Sequence, residues 1–351
     1  MARQAQVILS FDGVDISSDV QRDLISMAYT DNEEDEADDL QIVLHDRTGR
    51  WLKAWLDDVL IAQLNAQSAS TKGLAIHAGI LCTDWTKPGD IQKLDCGAFE
   101  LDDISTQGPP AIVTIKGTSL PYKNGIRSTL KSKSWESYRL SGIGQEIARN
   151  GGMGYIFDSG YDPVLDRREQ NDQTDIAFLK KLCHNAGCSL KLSHGRIIIY
   201  DQSKYELAQS VATIHMHDGG YSSYRLRSSE SDVAYTTCIV RYMGSGGMIQ
   251  GQAYTAEYKT ESENNKALVV TGHRVGSVNE ANILAEKLLR LKNKFEKTAT
   301  FSMAGNPSIV AGEVMALEDF GAFNGRYSVK KTRHQVTARG YKTDVDLRNV
   351  I

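Results

Sequence analysis

Hydrophobic and polar positions alternate with strand periodicity over much of this chain, most regularly in residues 298–348. There Phe301 and Met303 alternate with Thr300, Ser302 and Ala304 until Gly305-Asn306-Pro307 stops the run. Val314 to Leu317 form a second run, closed by Asn324-Gly325, and Tyr327 and Val329 begin a third. After Gly340, Thr343, Val345 and Leu347 alternate with Asp344, Asp346 and Arg348. Successive side chains of a strand point to opposite faces, so the pattern predicts a four-stranded antiparallel meander with one wet and one buried face. Asn-Gly accepts the positive φ angles of a tight hairpin.

The same alternation fills the first third. Val7 and Leu9 precede a turn at Asp12-Gly13, short runs continue to Tyr29, and Leu40, Ile42 and Leu44 form a strand ending at His45-Asp46. Further strands are expected at 74–82, 98–104 and 111–116. Between them Trp51, Leu52, Trp55, Leu56, Val59 and Leu60 fit a helical stripe, although the second half of that stretch fits a strand equally well. Turn signals every ten or so residues favour a barrel or sandwich.

Near Pro121 the period changes. Leu140, Ile143 and Ile147 sit at helical spacing before the stop Gly151-Gly152, and Ile176, Leu179, Leu182, Cys183 and Ala186 form a second stripe ended by Gly187. Asp172 or Thr174 is available to cap that helix, and a hairpin turning at His194-Gly195 follows it. The segment 119–204 therefore reads as an α+β lobe inserted between two β-rich parts. β character returns from 205, with a strand near 235–242. A helix follows within an insertion near 243–297; Ser277 and Glu280 form its capping box, and Ala281, Leu284, Leu288, Leu291 and Phe295 its apolar stripe. One echo joins the two β-rich parts. Gly97, Phe99 and Leu101, then Val113-Thr114-Ile115, recur as Gly325, Tyr327 and Val329, then Val345-Asp346-Leu347, which hints at two copies of one module.

Composition narrows the function classes. The 351 residues carry a net charge of −4, which argues against binding by phosphate neutralisation. No apolar run is long enough to span a bilayer, and the N-terminus reads as a first strand and not a signal peptide. Five scattered cysteines suggest buried thiols in a reducing compartment. There is no phosphate-binding loop and no serine elbow, and no catalytic, cofactor-binding or metal-ligating residue is singled out. His215, His217 and Asp218 read as a partly exposed strand end, and Cys183 with Cys188 as core thiols.

Two charged stretches are the interface candidates. DNEEDEADD at 31–39 holds seven carboxylates in nine residues; a solvated loop is the default reading, and a surface facing a basic partner, represented by Asp35 and Glu36, is the functional one. The basic strand Lys330, Lys331, Arg333 and His334 reads either as a charge-defended edge or as a contact for an acidic partner or a neighbouring subunit.

Ser134-Trp135, Gln170, the Asp175-to-Leu179 helix start and Gly187 resemble the middle of the phage late control protein D family. Gly325, Tyr327, Val329, His334, Gly340, Tyr341 and Thr343 resemble its closing hairpin, and ADDLQIVLHD its early strand. The stretch WLKAWLDDVLIAQL departs from the family by lacking a Gly-Asp pair before the strand. The resemblance implies a β-rich α+β fold of two related antiparallel β-barrel, tube-type domains, at 1–118 and 205–351, around the 119–204 lobe. It implies a non-enzymic hub of a contractile tail or tail-like bacteriocin: a homotrimeric ring that adapts a six-fold tube to a three-fold spike. The implied partners are the spike or tip protein, the tube or tube-initiator protein, baseplate wedge proteins and the tape-measure protein, with no cofactor, membrane insertion or specific nucleic acid. Assembly is expected in the host cytoplasm, and residence afterwards in the baseplate of the released particle. The length suggests a stand-alone hub. A tail-tip peptidoglycan hydrolase is the alternative, and a nucleic-acid-binding regulator the third reading.

Overall fold

The computed structural model describes residues 3–51, 75–120, 125–229, 233–256 and 265–351. The stripe read at 51–60 falls, apart from the buried Trp51, outside the described residues.

The first β-rich part contains β1 (Gln4–Phe11), β2 (Val14–Asp15), a short helix α1 (Ser17–Asp23), β3 (Leu24–Asn32), β4 (Asp39–His45), β5 (Ala75–Thr83), β6 (Ile91–Gln107) and β7 (Ile112–Thr118). The middle contains β8 (Lys131–Arg139), α2 (Leu140–Asn150), β9 (Gly154–Asp158), β10 (Val164–Gln173), α3 (Asp175–Asn185), β11 (Ser189–Ser193), β12 (Arg196–Tyr200) and α4 (Gln202–Tyr205). The last part contains β13 (Ala212–His215), β14 (Tyr221–Ser228), β15 (Thr237–Gly244), β16 (Gly247–Tyr254), β17 (Ala267–Thr271), α5 (Val278–Asn293), β18 (Lys297–Ala304), β19 (Val314–Glu318), β20 (Gly325–Thr337) and β21 (Gly340–Asn349). Local chemistry sets several boundaries. The Thr174 hydroxyl accepts the Ala177 N–H at the start of α3, and His194 and Gly195 take positive φ in the β11–β12 turn. At α5 the Ser277 hydroxyl accepts the Glu280 N–H, while the Glu280 carboxylate reaches back to the Gly276 N–H.

A single 13-stranded sheet runs β14-β18-β21-β20-β3-β4-β7-β6-β5-β1-β2, with β19 also bonded to β20 and β13 to β19. Two modules of identical strand order lie within it. In the first, β3-β4-β7-β6-β5-β1 are neighbours; in the second, β14-β18-β21-β20-β19-β13 are. Taken in chain order, β1, β3, β4, β5, β6 and β7 correspond to β13, β14, β18, β19, β20 and β21. The pairings match in direction except that β13–β19 is parallel where β1–β5 is antiparallel. Even the ladder irregularity repeats. It falls between Leu101 and Asp103 in the β6–β7 hairpin and between Val329 and Lys331 in β20–β21, at equal distances from Phe99 and Tyr327.

The echo seen in the sequence is therefore real in the first strand of each hairpin and two residues out in the second. Gly117 pairs with Leu101 as Leu347 pairs with Val329, so Ile115, not Val113, is the counterpart of Val345. The turn at 108–111 is two residues longer than the turn at 338–339. Nor is the closing region a simple meander, because β18 pairs with β21 and not with β19.

Each run of six strands rolls around its own core. Leu9, Met27, Ile42, Ile80, Phe99 and Ile115 meet in the first, and Phe301, Met315, Leu317, Tyr327, Val345 and Leu347 in the second. The modules join where β3 pairs antiparallel with β20, from Ser26 opposite Thr337 to Asn32 opposite Lys331. The Trp85 indole N–H also donates to the Gly305 carbonyl at 2.7 Å and its ring packs on Tyr341. The third core belongs to the middle. Here Ile143, Leu179, Leu190 and Ile199 pack with Cys238, Val240, Leu284 and Leu288, so the sheet β16-β15-β17 and helix α5 share the core of the 119–204 segment.

Candidate functional site

The basic strand proves to be central. β20 is bonded to β21 along one side and to β19 and then β3 along the other, so the reading of a charge-defended edge does not hold. Its alternation decides the fate of each candidate. Thr332, His334 and Val336 point inward and are buried, whereas Lys331, Arg333 and Gln335 face the opposite side.

His334 is not a surface residue. Its ring is fully buried, accepts the Tyr341 hydroxyl at Nδ1 (2.7 Å), donates from Nε2 to the Ile309 carbonyl (3.0 Å) and stacks on Tyr29. Burial pulls its pKa down to about 4, so it sits in the fold as a neutral imidazole. The other basic residues keep an accessible face. Lys330 lies over the Phe295 ring, Lys331 reaches Glu36 at 3.8 Å, and Arg333 is exposed opposite Thr30 and Asp344.

The acidic run is folded in, not solvated. It forms the β3–β4 connection and is held by cations from the other two cores. Asp31 accepts Lys191 Nζ at 2.6 Å and the Ala311 N–H at 2.8 Å. Glu34 takes Lys294 and the Ser189 hydroxyl. Glu33 is gripped from two directions by Arg348, Nε at 2.7 Å and Nη2 at 2.5 Å, and also accepts the Ser328 hydroxyl at 2.9 Å. The third arm of Arg348, Nη1, reaches Glu206 at 2.6 Å, and Glu206 in turn pairs with Arg290 of α5. Arg348 is 0% exposed. The alternation placed it on the wet face with Asp344 and Asp346, but at that end the acidic loop and α5 cover the sheet.

The electrostatics follow from this arrangement. Burial disfavours the charge of Arg348, but two carboxylates outweigh it and its pKa is raised. Burial and the nearby Asp31 push Asp38 up to about 7. Burial would raise Glu34 as well, yet the Lys294 ammonium outweighs it and holds the carboxyl below its ordinary value.

Four of the six candidates meet. Asp35, Glu36, Lys330 and Lys331 line one open cleft of ≈ 450 Å³, whose lining also includes Lys294 and Phe295. Arg333 lies outside it on the polar face of the sheet, and His334 lies beneath the sheet. Sequence reasoning missed Glu33, Lys191, Glu206, Lys294 and Arg348. A single acidic residue offers no signal of its buried partner when that partner is 142 to 315 residues away, as along the Glu33–Arg348–Glu206 chain.

No protein-family model matches the chain. Two curated relatives do. The probable baseplate hub protein of Escherichia phage 186 is 27% identical over 195 residues, 54% of this chain and 43% of that protein. The probable baseplate hub protein of Escherichia phage P2 is 25% identical over 194 residues, 54% of this chain and 44% of the relative. The match thus spans less than half the length of either relative. Among solved structures, the 43 kDa tail protein of prophage MuSo2 from Shewanella oneidensis superposes with a TM-score of 0.65 at 11% identity, covering 98% of both chains. The fold is that of a phage tail protein. This phage-tail fold extends to an E. coli component of the type VI secretion system, described as structurally similar to the phage T4 tail proteins gp27 and gp5. Its TM-score is 0.55 at 8% identity, over 94% of this chain and 74% of that one. It extends also to the VgrG-containing complex of Francisella with PdpA, with a TM-score of 0.53 at 7% identity, over 99% of this chain and 58% of that one. At these identities the likeness carries the phage-tail architecture, and the hub resemblance rests on the two curated relatives.

Proposed function

We propose that this chain is the structural hub of a contractile-tail baseplate, a homotrimeric ring that adapts a six-fold tail tube to a three-fold spike. The observation that carries the reading is the duplicated module: three copies of a chain with two topologically equivalent modules present six equivalent units to a tube and three identical chains to a spike. The two hub-named relatives support it. The partners are the spike or tip protein, the tube or tube-initiator protein, wedge proteins and the tape-measure protein, in the host cytoplasm during assembly and in the baseplate afterwards. The role is mechanical. Obligate interfaces of roughly 2,000 Å² or more hold such a ring, and the internal ion-pair chain fixes both modules and the middle segment as one body.

The test is co-expression with the spike and tube proteins of the same particle, followed by light scattering and electron microscopy. A trimer bound to the spike is expected. A chain that stays monomeric and ignores both partners overturns the reading, and clearing of peptidoglycan in a zymogram by the purified chain would replace it with a hydrolase.

A further inference from the structure

Where the middle segment meets the insertion after β14, the packing encloses a cavity of ≈ 200 Å³. β10, the C-terminal end of α3, β15, residues 272–274 between β17 and α5, and α5 itself each supply part of its wall. Its apolar side is Leu165, Leu182, Tyr242 and Leu284, all packed in the shared core of the middle segment. Its polar side is basic. Arg168, His273 and Arg274 line it with a single carboxylate, Asp166.

These charges are unevenly satisfied. Arg274 pairs with Asp166, and Glu280, which the Tyr161 hydroxyl reaches at 3.3 Å, is held by the Gly276 N–H. Arg168 is half-buried and makes no ion pair among the described residues; its guanidinium donates to the adjacent Arg167 carbonyl at 3.4 Å. The Nδ1 atom of His273 is buried and has no hydrogen-bond partner among the described residues. Burial pulls the His273 pKa below its ordinary value; the Thr271 carbonyl works against that, and the Arg168 charge adds to it. A guanidinium and an imidazole thus share one cavity, and no carboxylate among the described residues pairs with either.

We propose that this cavity binds a residue-sized apolar carboxylate, its anion taken by Arg168 and His273 and its apolar body by Leu165, Leu182 and Leu284. Size, charge and polarity each narrow the class. Pockets for drug-sized molecules and cofactors span about 300–1,000 Å³, so this one is too small for a nucleotide and has room for a single aliphatic residue. A guanidinium forks onto a planar carboxylate, and the imidazole Nδ1 is a second donor to the same group when it carries the proton. A phosphate would have to shed its hydration against leucine side chains. Two sources present the favoured chemistry: the free C-terminus of a partner polypeptide ending in an aliphatic residue, and a small free acid. The site goes beyond the ring reading and does not depend on it, since every wall comes from one chain.

The test is titration calorimetry of the full-length chain with N-acetyl-L-leucine, N-acetyl-L-leucinamide and inorganic phosphate, beside NMR of the imidazole C–H signals, in which H273Q identifies His273. N-acetyl-leucine is expected to bind and to raise the His273 pKa, because an anion at the ring favours its protonated form. The leucinamide should bind about tenfold more weakly or worse, through loss of the charge-assisted pair. R168M should erase that preference while melting within about 2 °C of the native chain. A short peptide ending in leucine, with its C-terminus free or amidated, separates the sources. A free-ended peptide that binds as tightly as N-acetyl-leucine assigns the site to a chain end, and one that is excluded while N-acetyl-leucine binds assigns it to a small acid. Failure of N-acetyl-leucine to bind, equal binding of acid and amide, phosphate as the tightest ligand, or a His273 signal that ignores N-acetyl-leucine overturns the proposal. The acid–amide comparison uses the native chain and decides the matter even if R168M does not fold.

Discussion

Replacing Arg348 by methionine tests the claim that one buried guanidinium ties the modules to the middle of the chain. The substitution keeps length and removes the charge, leaving the Glu33 and Glu206 carboxylates, both at most 5% exposed, without their shared cation. Breaking a buried pair from one side costs about 3–5 kcal/mol, because a desolvated charge is left uncompensated. An unfolding entropy of ~2.1 cal/mol/K per residue gives ~0.7 kcal/mol/K for a chain of this length. The expected fall in Tm is therefore about 4–7 °C by calorimetry. Lysine at 348 should recover only part of it, since an ammonium cannot fork to Glu33 and reach Glu206 together. The double variant R348M/E33Q should recover most of it, since Glu206 keeps its pair with Arg290 and no buried charge is left without a partner. If R348M melts within about 1 °C of the native chain, the ion-pair chain is not what holds the three cores together.

Stability should also fall with acid through His334. Its folded pKa of about 4 lies below the ordinary value of 6.5, so its contribution is complete above pH 6.5 and is lost as pH falls toward 4. That shift corresponds to ~3 kcal/mol at most, and H334Q should flatten the acid limb of urea-unfolding midpoints measured between pH 4 and 7. Gly305→Ala should destabilise by roughly 1–3 kcal/mol in the same assay, because a Cβ there would lie 2.1 Å from the Tyr341 ring that packs on Trp85. Charge reversal at Lys331 and Arg333 should weaken assembly with partner proteins while leaving the melting curve of the monomer within about 2 °C, since both keep accessible faces. Normal assembly of K331E/R333E would reduce that face of β20 to a solvated surface.

Much of this fold is written locally. Strand alternation in 298–348 and in the described residues of 1–118, the cap at Thr174, the capping pair around Ser277 and the turn at His194-Gly195 each act within a few residues, and each is found where the pattern places it. The resemblance to hub proteins was legible for a similar reason, since its motifs are short and ordered. What could not be read is whatever depends on partners far along the chain. Arg348 follows the same alternation as the half-buried Asp344 and Asp346, and only the arrival of the 31–39 loop and Glu206 buries it fully. The acidic run looked solvated because like charges repel, yet Lys191, Lys294 and Arg348 neutralise it from three other segments. His334 reads with its basic neighbours because composition does not reveal phase, although it shares its face with the buried Thr332 and Val336.

The two modules differ most in the stretch that follows their second equivalent strand. Six residues, 33–38, join β3 to β4, whereas residues 229–296 join β14 to β18. The longer stretch packs its strands and the apolar face of its helix into the core of the middle segment, and meets the large sheet through Arg290, Lys294 and Phe295. The β14–β18 ladder itself is formed by residues outside it, from Tyr221 opposite Met303 to Ser228 opposite Lys297. A connection of that kind is a point of free growth: its outer surface can be rewritten for a new neighbour while β14 and β18 keep their register. The same sheet can in this way carry different surroundings without any change in its own pairing.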